Sequence, residues 1–210
     1  MFWDKAAGLY DLFEILYNGK VYKGLAMKVA EYIDTEDNVL ECACGTGMIS
    51  RHIAPRCKSL IATDVSEGMM KQARKHCAQF LNVTIQKADI MALEWPEETF
   101  DKVVAGNVIH LLDDPCGALA ELMRVCKTGG KVIIPTYINI EHDGKVSLAA
   151  RALEVLGVSF KREFDFDSYR QFFADAGFKD VEYHVVEGRM PCAIAIIPKS
   201  TMRVTDRNNL

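Results

Sequence analysis

No apolar run in this chain approaches the ~18–20 residues that a membrane-spanning helix requires. The longest clean one, Cys192 to Ile197, is of strand length. No CxxC pair occurs among the seven cysteines, and their number is odd. That pattern excludes a disulfide scaffold and offers no zinc-site spacing, so no metal is expected; it fits small apolar side chains in a reducing compartment. The start, Met1-Phe2-Trp3-Asp4-Lys5, lacks the basic-then-apolar order of a secretory signal, so the cytoplasm is the expected location. Positive charge is not in excess: 25 Lys+Arg stand against 29 Asp+Glu, a net charge of −4. A chain of that balance is poorly suited to neutralise phosphates, and nucleic acid is not expected as a partner. Glycine is too sparse for a collagen-like chain, and half the residues are hydrophobic, too many for disorder. What is left is a single globular domain, since 210 residues bury roughly 70% of their unfolded surface on folding.

Strand and helix patterns alternate along the chain. Val21, Leu25, Val29 and Ile33 recur every fourth residue, the stripe of an amphipathic helix ending near Asp34. Short strands are expected at Val39–Cys42, Leu60–Thr63 and Val83–Ile85, then at Asp101–Gly106 and Lys131–Ile134. Ser66 is placed to cap one intervening helix, and Asp114, with Pro115 in the first turn, to cap the next. Gly129-Gly130 reads as the stop of that second helix. A helix over Ser168–Ala176, stopped by Gly177, and strands at Val181–Val186 and Ala193–Ile197 complete the pattern. Near-continuous apolar strands separated by helices predict an α/β fold, a doubly wound and mostly parallel sheet with helices on both faces. The segment Tyr137–Phe166 is polar and irregular, and 199–210 reads as a loose polar tail.

In such a sheet the ligand lies beyond the carboxyl ends of the strands. There the chain carries Glu41 and the turn Ala43-Cys44-Gly45-Thr46-Gly47, then Asp64, Asp89, and Asn107 with His110. Gly45 and Gly47 permit close approach of backbone to a ligand. Asp64 follows about 20 residues later, the spacing at which a carboxylate accepts from ribose hydroxyls. Each feature alone has a structural explanation; together they predict a nucleoside site.

The run from Glu41 to Gly47 resembles the first motif of class I S-adenosylmethionine-dependent methyltransferases, an acid followed by G-x-G-x-G. The resemblance continues through Asp64, Ala88-Asp89, Phe100–Leu112, Leu122–Gly130 and Asp175–Phe178. It covers about Asp37 to Pro198, and small-molecule methyltransferases similar to the ubiquinone and menaquinone biosynthesis enzymes are the nearest group. Ala43 departs from the pattern, standing where the family usually has its first glycine. The resemblance implies a seven-stranded Rossmann-like sheet with the last strand antiparallel, and S-adenosylmethionine as cofactor, leaving as S-adenosylhomocysteine. It implies that Glu41 orients the turn and the methionine amino group, that Gly45 and Gly47 present backbone to the methionine part, and that Asp64 holds both ribose hydroxyls. Val65 would pack on adenine, Asp89 accept from its amine, the Ile90 N–H meet a ring nitrogen, and the Asn107 carbonyl meet the amino group. Ala43, Cys44, Thr46 and Met69 belong to the same expected lining. The region 1–36, with Trp3, Tyr10, Phe13 and Tyr17, resembles a lid plus first helix, and Tyr10 is expected to touch the cofactor. Domain 1–198 would then hold everything, with 137–166 as a substrate-pocket insertion.

The expected reaction is in-line transfer of a methyl group to a small-molecule acceptor. His110 is the candidate base or orienting group, and His142 and Asp143 are weaker pocket candidates. Asn107-Val108-Ile109-His110 differs from the [DNS]-P-P-[YFW] motif of enzymes that methylate DNA bases on nitrogen. Two alternatives stay open: an NAD(P)-dependent oxidoreductase, from the near match Gly45-x-Gly47-x-x-Ser50, and a non-catalytic S-adenosylmethionine-binding protein.

Overall fold

A computed structural model describes residues 2–138 and 161–200; within the first helix, the side chains of residues 2 and 5–17 lie outside the description. The elements in chain order are α1 (Phe2–Ala30), β1 (Asn38–Cys42), α2 (Ser50–Ile53), β2 (Ser59–Asp64), α3 (Glu67–His76), β3 (Val83–Lys87) and β4 (Phe100–Ala105). They continue with α4 (Pro115–Val125), β5 (Cys126–Tyr137), α5 (Phe166–Asp175), β6 (Glu182–Val186) and β7 (Cys192–Pro198). A 3-10 turn, Ile109–Leu111, lies between β4 and α4.

The strands form a seven-stranded sheet in the order β3-β2-β1-β4-β5-β7-β6. Every pairing from β3 to β5 is parallel, and β7 runs antiparallel to both neighbours. The predicted architecture is therefore observed. Strand order reverses between β1 and β4, so the ends of those two strands flank the crevice where ligands bind in such sheets. Burial on both faces explains the continuous apolar runs: in β7 every residue from Cys192 to Ile197 is buried. One core layer gathers Leu119, Leu122, Tyr169 and Phe173, and the other Leu25, Val29, Ile49 and Ile53. The Tyr169 hydroxyl ends that aromatic stack by donating to the Ile134 carbonyl.

Several boundaries differ from the sequence reading, each for a physical reason. The first helix ends at Ala30 rather than Asp34 and is interrupted at Asn18, whose backbone is non-helical. The buried Asn18 amide donates to the Met190 carbonyl at 3.0 Å and accepts from the Met190 N–H at 3.4 Å, a long-range clamp that helical periodicity cannot register. Gly129-Gly130 does not stop α4. That helix ends at Val125, and the two glycines lie inside β5, where pairing with β4 shifts register between Phe100 and Lys102. Gly130 is pressed so closely on its neighbours that a Cβ would come within 2.5 Å of the Asp101 carbonyl oxygen. Lys199 is no loose tail residue either: it exchanges backbone hydrogen bonds with Gly129 and Gly130, and its Nζ donates to the Cys126 carbonyl at 2.7 Å. The ends of the irregular segment are ordered: Tyr137 belongs to β5, Phe164 is buried, and Phe166 opens α5 behind an Asp165–Ser168 capping box. Residues 139–160, with His142 and Asp143, and 201–210 lie outside the described residues.

Candidate active site

The chain leaves β1 into a turn whose backbone is left-handed three times, at Ala43 (φ 53°), Gly45 (φ 55°) and Gly47 (φ 82°), before it enters α2. Gly47 is held at close quarters, because a Cβ there would lie 3.1 Å from the Ala73 Cα of α3. Gly45 is different: a Cβ there would meet nothing within 4 Å. The turn is thus anchored on the Gly47 side and open on the Gly45 side.

Two carboxylates hold this turn. At the end of β2, Asp64 accepts from the Gly45 N–H with one oxygen and from the Ser66 N–H with the other, both at 2.9 Å. Burial raises its pKa, and the N–H donors of Ser66, Gly45 and Val65 oppose that rise. Glu41 is only 1% exposed and accepts from the Ser50 hydroxyl at 2.6 Å, which ties the end of β1 to the start of α2. Burial pushes its carboxyl up to about 8, with Ser50 pulling the other way and Asp64 adding to the rise. Glu41 is expected from the sequence to orient the turn and the methionine amino group; in the structure it lies beneath the turn, with Ser50 as a partner that no local pattern announces.

The remaining expected residues fall in definite places. Cys44 is buried, donating its N–H to the Thr63 carbonyl at 2.8 Å, and burial drives its thiol pKa well up. The Thr46 Oγ1 is buried without a hydrogen-bond partner among the described residues, and so is the Asn107 Nδ2. Asn107 is itself left-handed (φ 52°), with its N–H fixed on the Pro135 carbonyl at 2.8 Å. Val65 is exposed at the lip of the crevice. Asp89 is exposed, and one of its oxygens accepts from the Met91 N–H, while Ile90 is buried beside it. Met69 is buried in α3, and its N–H donates to the Ser66 cap. The side chain of Tyr10 lies outside the described residues.

His110 sits in the 3-10 turn after β4, buried, with its ring 6.5 Å from that of Tyr137. Burial lowers its pKa to about 4, so the ring is neutral at pH 7. Its carbonyl accepts from the N–H groups of Lys161 and Arg162 at 3.1 and 3.2 Å, which brings the chain entering α5 against this turn. One further residue escaped the sequence reading. Asp4, at the start of α1, accepts from the Ser66 hydroxyl at 2.7 Å and from the Gly68 N–H at 3.0 Å. The Gly68 N–H first, and the Ser66 hydroxyl after it, hold its pKa down at about 2. The start of α1 thereby meets the start of α3 at Ser66, a long-range contact that only folding reveals.

A family model described as a methyltransferase domain matches residues 40–134, the span from β1 through the middle of β5. That span, a little under half of the chain, carries the likeness to a methyltransferase domain. The chain is 29% identical over 168 residues to a demethylmenaquinone methyltransferase of Renibacterium salmoninarum, covering 71% of this chain and 70% of that one. It is 31% identical over 112 residues to an uncharacterized chloroplastic methyltransferase of Arabidopsis thaliana. That match covers 48% of this chain and only 31% of the plant protein, about a third of its length. Among solved structures, a methyltransferase of Thermotoga maritima described as a possible histamine N-methyltransferase superposes with a TM-score of 0.70 at 20% identity, covering 95% of this chain and 99% of that one. This last likeness is one of fold.

The family's cofactor, S-adenosylmethionine, fits what the turn presents. Gly45 has open space where a side chain would stand, and the Asp64 carboxylate keeps acceptor capacity beyond its two backbone donors, which suits the hydroxyls of a nucleoside; Thr46 Oγ1 and Asn107 Nδ2 are buried polar atoms with no hydrogen-bond partner among the described residues. Among the described residues no cluster of His, Cys, Asp or Glu could hold a metal ion, and no helix is long and apolar enough to cross a membrane.

Proposed function

We propose that the chain transfers a methyl group from S-adenosylmethionine to a small-molecule acceptor. The observation that carries this reading is the turn itself: Gly45 open to the crevice and hydrogen-bonded to Asp64, the acid best placed for a ribose. When bound, S-adenosylmethionine supplies an electrophilic methyl carbon on a sulfonium. Asp64 then holds the ribose hydroxyls with the lone pairs its two backbone donors leave free. Val65 offers an apolar edge to adenine, with Asp89 and the Ile90 N–H reading the ring. Glu41 acts from below, fixing the turn through the Ser50 hydroxyl that it accepts from. Asn107 presents its carbonyl from the facing strand end.

The protein's share in the chemistry is alignment and exclusion of water, which can supply effective molarities of order 10⁵ M or more. His110, neutral and buried, suits a role in orienting the acceptor better than one as a strong base. The bacterial relative named for demethylmenaquinone supports a small-molecule acceptor. A cytoplasmic location belongs to the same reading, and it agrees with seven free thiols, six of them buried. Incubation with labelled S-adenosylmethionine and metabolite extract, followed by mass spectrometry, tests the proposal. A labelled small molecule is the expected product; label found only in protein or nucleic acid would overturn the acceptor class.

A further inference from the structure

Beside the turn, a second concavity opens between α1 and α2. It has a volume of about 330 Å³ and is lined by Gly19, Tyr22, Lys23, Met48, Arg51 and His52. Three of these six are basic and none is acidic, in a chain whose net charge is −4. Arg51 and His52 are only partly exposed. Among the described residues neither Lys23 nor Arg51 has an ion-pair or hydrogen-bond partner. Lys23 is exposed, whereas two less exposed cations elsewhere are paired: Lys102 with Asp37 at 2.7 Å and Arg124 with Glu121 at 2.8 Å. The His52 Nδ1 lies 3.0 Å from the Met48 carbonyl, which can only accept, so that nitrogen carries its proton and Nε2 is the atom left for other use.

Cations gathered in a groove without a counter-ion repel one another, and low-dielectric walls strengthen the positive potential they create. Arg51 brings a planar fork suited to carboxylate or phosphate, and Lys23 a mobile point charge. Tyr22 and Met48 add apolar wall, and the volume exceeds what a bare inorganic anion needs. We propose that this groove binds an oxyanion-bearing small molecule, a carboxylate or phosphate ester with an adjoining apolar part, through Lys23 and Arg51, with the His52 ring beside it.

Because Met48 follows Gly47 directly, the oxyanion has two possible sources. It is either the carboxylate of the cofactor's own methionine or an anionic group on a separate molecule. The inference does not require the methyltransferase reading, since the groove is defined by its own residues.

The test uses the full chain and three variants, Lys23→Ala, Arg51→Ala and the double substitution. Inorganic phosphate, benzoate, S-adenosylhomocysteine and 5′-methylthioadenosine, which lacks the carboxylate, are titrated by calorimetry. The His52 ring resonance is followed by NMR in parallel. Wild-type protein is expected to bind phosphate or benzoate with a shift of the His52 resonance. Each single substitution is expected to weaken that binding about tenfold and the double to abolish it. Loss confined to S-adenosylhomocysteine, with 5′-methylthioadenosine unaffected, assigns the groove to the cofactor's carboxylate. Loss confined to phosphate or benzoate assigns it to a separate anion. Unchanged affinity for all four probes in the double variant, with the fold intact by circular dichroism, overturns the proposal. Failure of wild-type protein to bind S-adenosylhomocysteine strikes at the methyltransferase reading alone, because phosphate and benzoate still report on the groove.

Discussion

Replacing Gly45 and Gly47 separately with alanine should give opposite pairings of stability and affinity. An L-residue in the left-handed region costs roughly 1–2 kcal/mol, and both positions incur that. At Gly45 nothing else is added, since the new methyl meets no atom within 4 Å. At Gly47 the methyl lies 3.1 Å from the Ala73 Cα and 3.2 Å from its Cβ, both part of a packed helix that cannot swing aside. Overpacking of that kind costs about 1–3 kcal/mol more. Urea denaturation should therefore show a loss of about 1–2 kcal/mol for Gly45→Ala and about 2–5 kcal/mol for Gly47→Ala. Calorimetric titration with S-adenosylhomocysteine should reverse the order, with Gly45→Ala losing on the order of 100-fold because its methyl occupies the cofactor's side of the turn. Ala43→Gly applies the same rule backwards: Ala43 already bears the left-handed strain, and its relief should raise stability by roughly 0.5–1 kcal/mol. Wild-type affinity in Gly45→Ala, or equal destabilisation by the two glycine variants, would refute the reasoning.

Further outcomes follow from the titrating groups and from the N-terminal contact. Glu41 holds its proton more tightly folded (about 8) than at its ordinary value of 4.5. Its contribution is thus fully present below pH 4.5 and lost as pH rises to 8, a loss of a few kcal/mol in order of magnitude. Glu41→Gln should flatten that part of the curve in urea melts between pH 5 and 9, and parallel curves would contradict the burial argument. His110 has the opposite sign: with its folded pKa near 4 against 6.5, its contribution is present above pH 6.5 and lost as pH falls toward 4. An NMR titration should find its ring neutral at pH 6, and a midpoint near 6.5 would contradict the burial seen here. Asp4→Ala removes two hydrogen bonds at the start of α3, and Gly68→Ala drives a methyl to within 2.7 Å of the Asp4 Cα. Both should speed tryptic cleavage at Lys5 without altering the urea midpoint of the core; unchanged cleavage would show that the contact restrains nothing.

The sheet was legible because both of its faces are covered, so its strands read as unbroken apolar runs such as Val103-Val104-Ala105 and Ala193–Ile197. The turn and Asp64 were legible for a related reason: a ligand-facing strand end must leave the apolar pattern, and it does so with glycine and acid at fixed spacing. What escaped depends on contacts across the chain. Asn18 interrupts α1 because its amide meets Met190, 172 residues away. Gly129 and Gly130 look like a helix stop until β4 and Lys199 recruit them into β5. The Ser50 hydroxyl on Glu41 joins the ends of two elements nine residues apart, a pairing that no local pattern announces. Ala43 kept a glycine's conformation without being glycine, which no propensity could anticipate.

The proposed function stands on S-adenosylmethionine binding at the Asp64–Gly45 turn. Titration calorimetry with S-adenosylhomocysteine on the intact chain and on Asp64→Ala, with NAD as the comparison ligand, addresses it most directly. Saturable one-to-one binding of S-adenosylhomocysteine is expected, with a loss of at least tenfold in Asp64→Ala and no heat from NAD. Binding of NAD in its place, or S-adenosylhomocysteine affinity indifferent to Asp64, would contradict it.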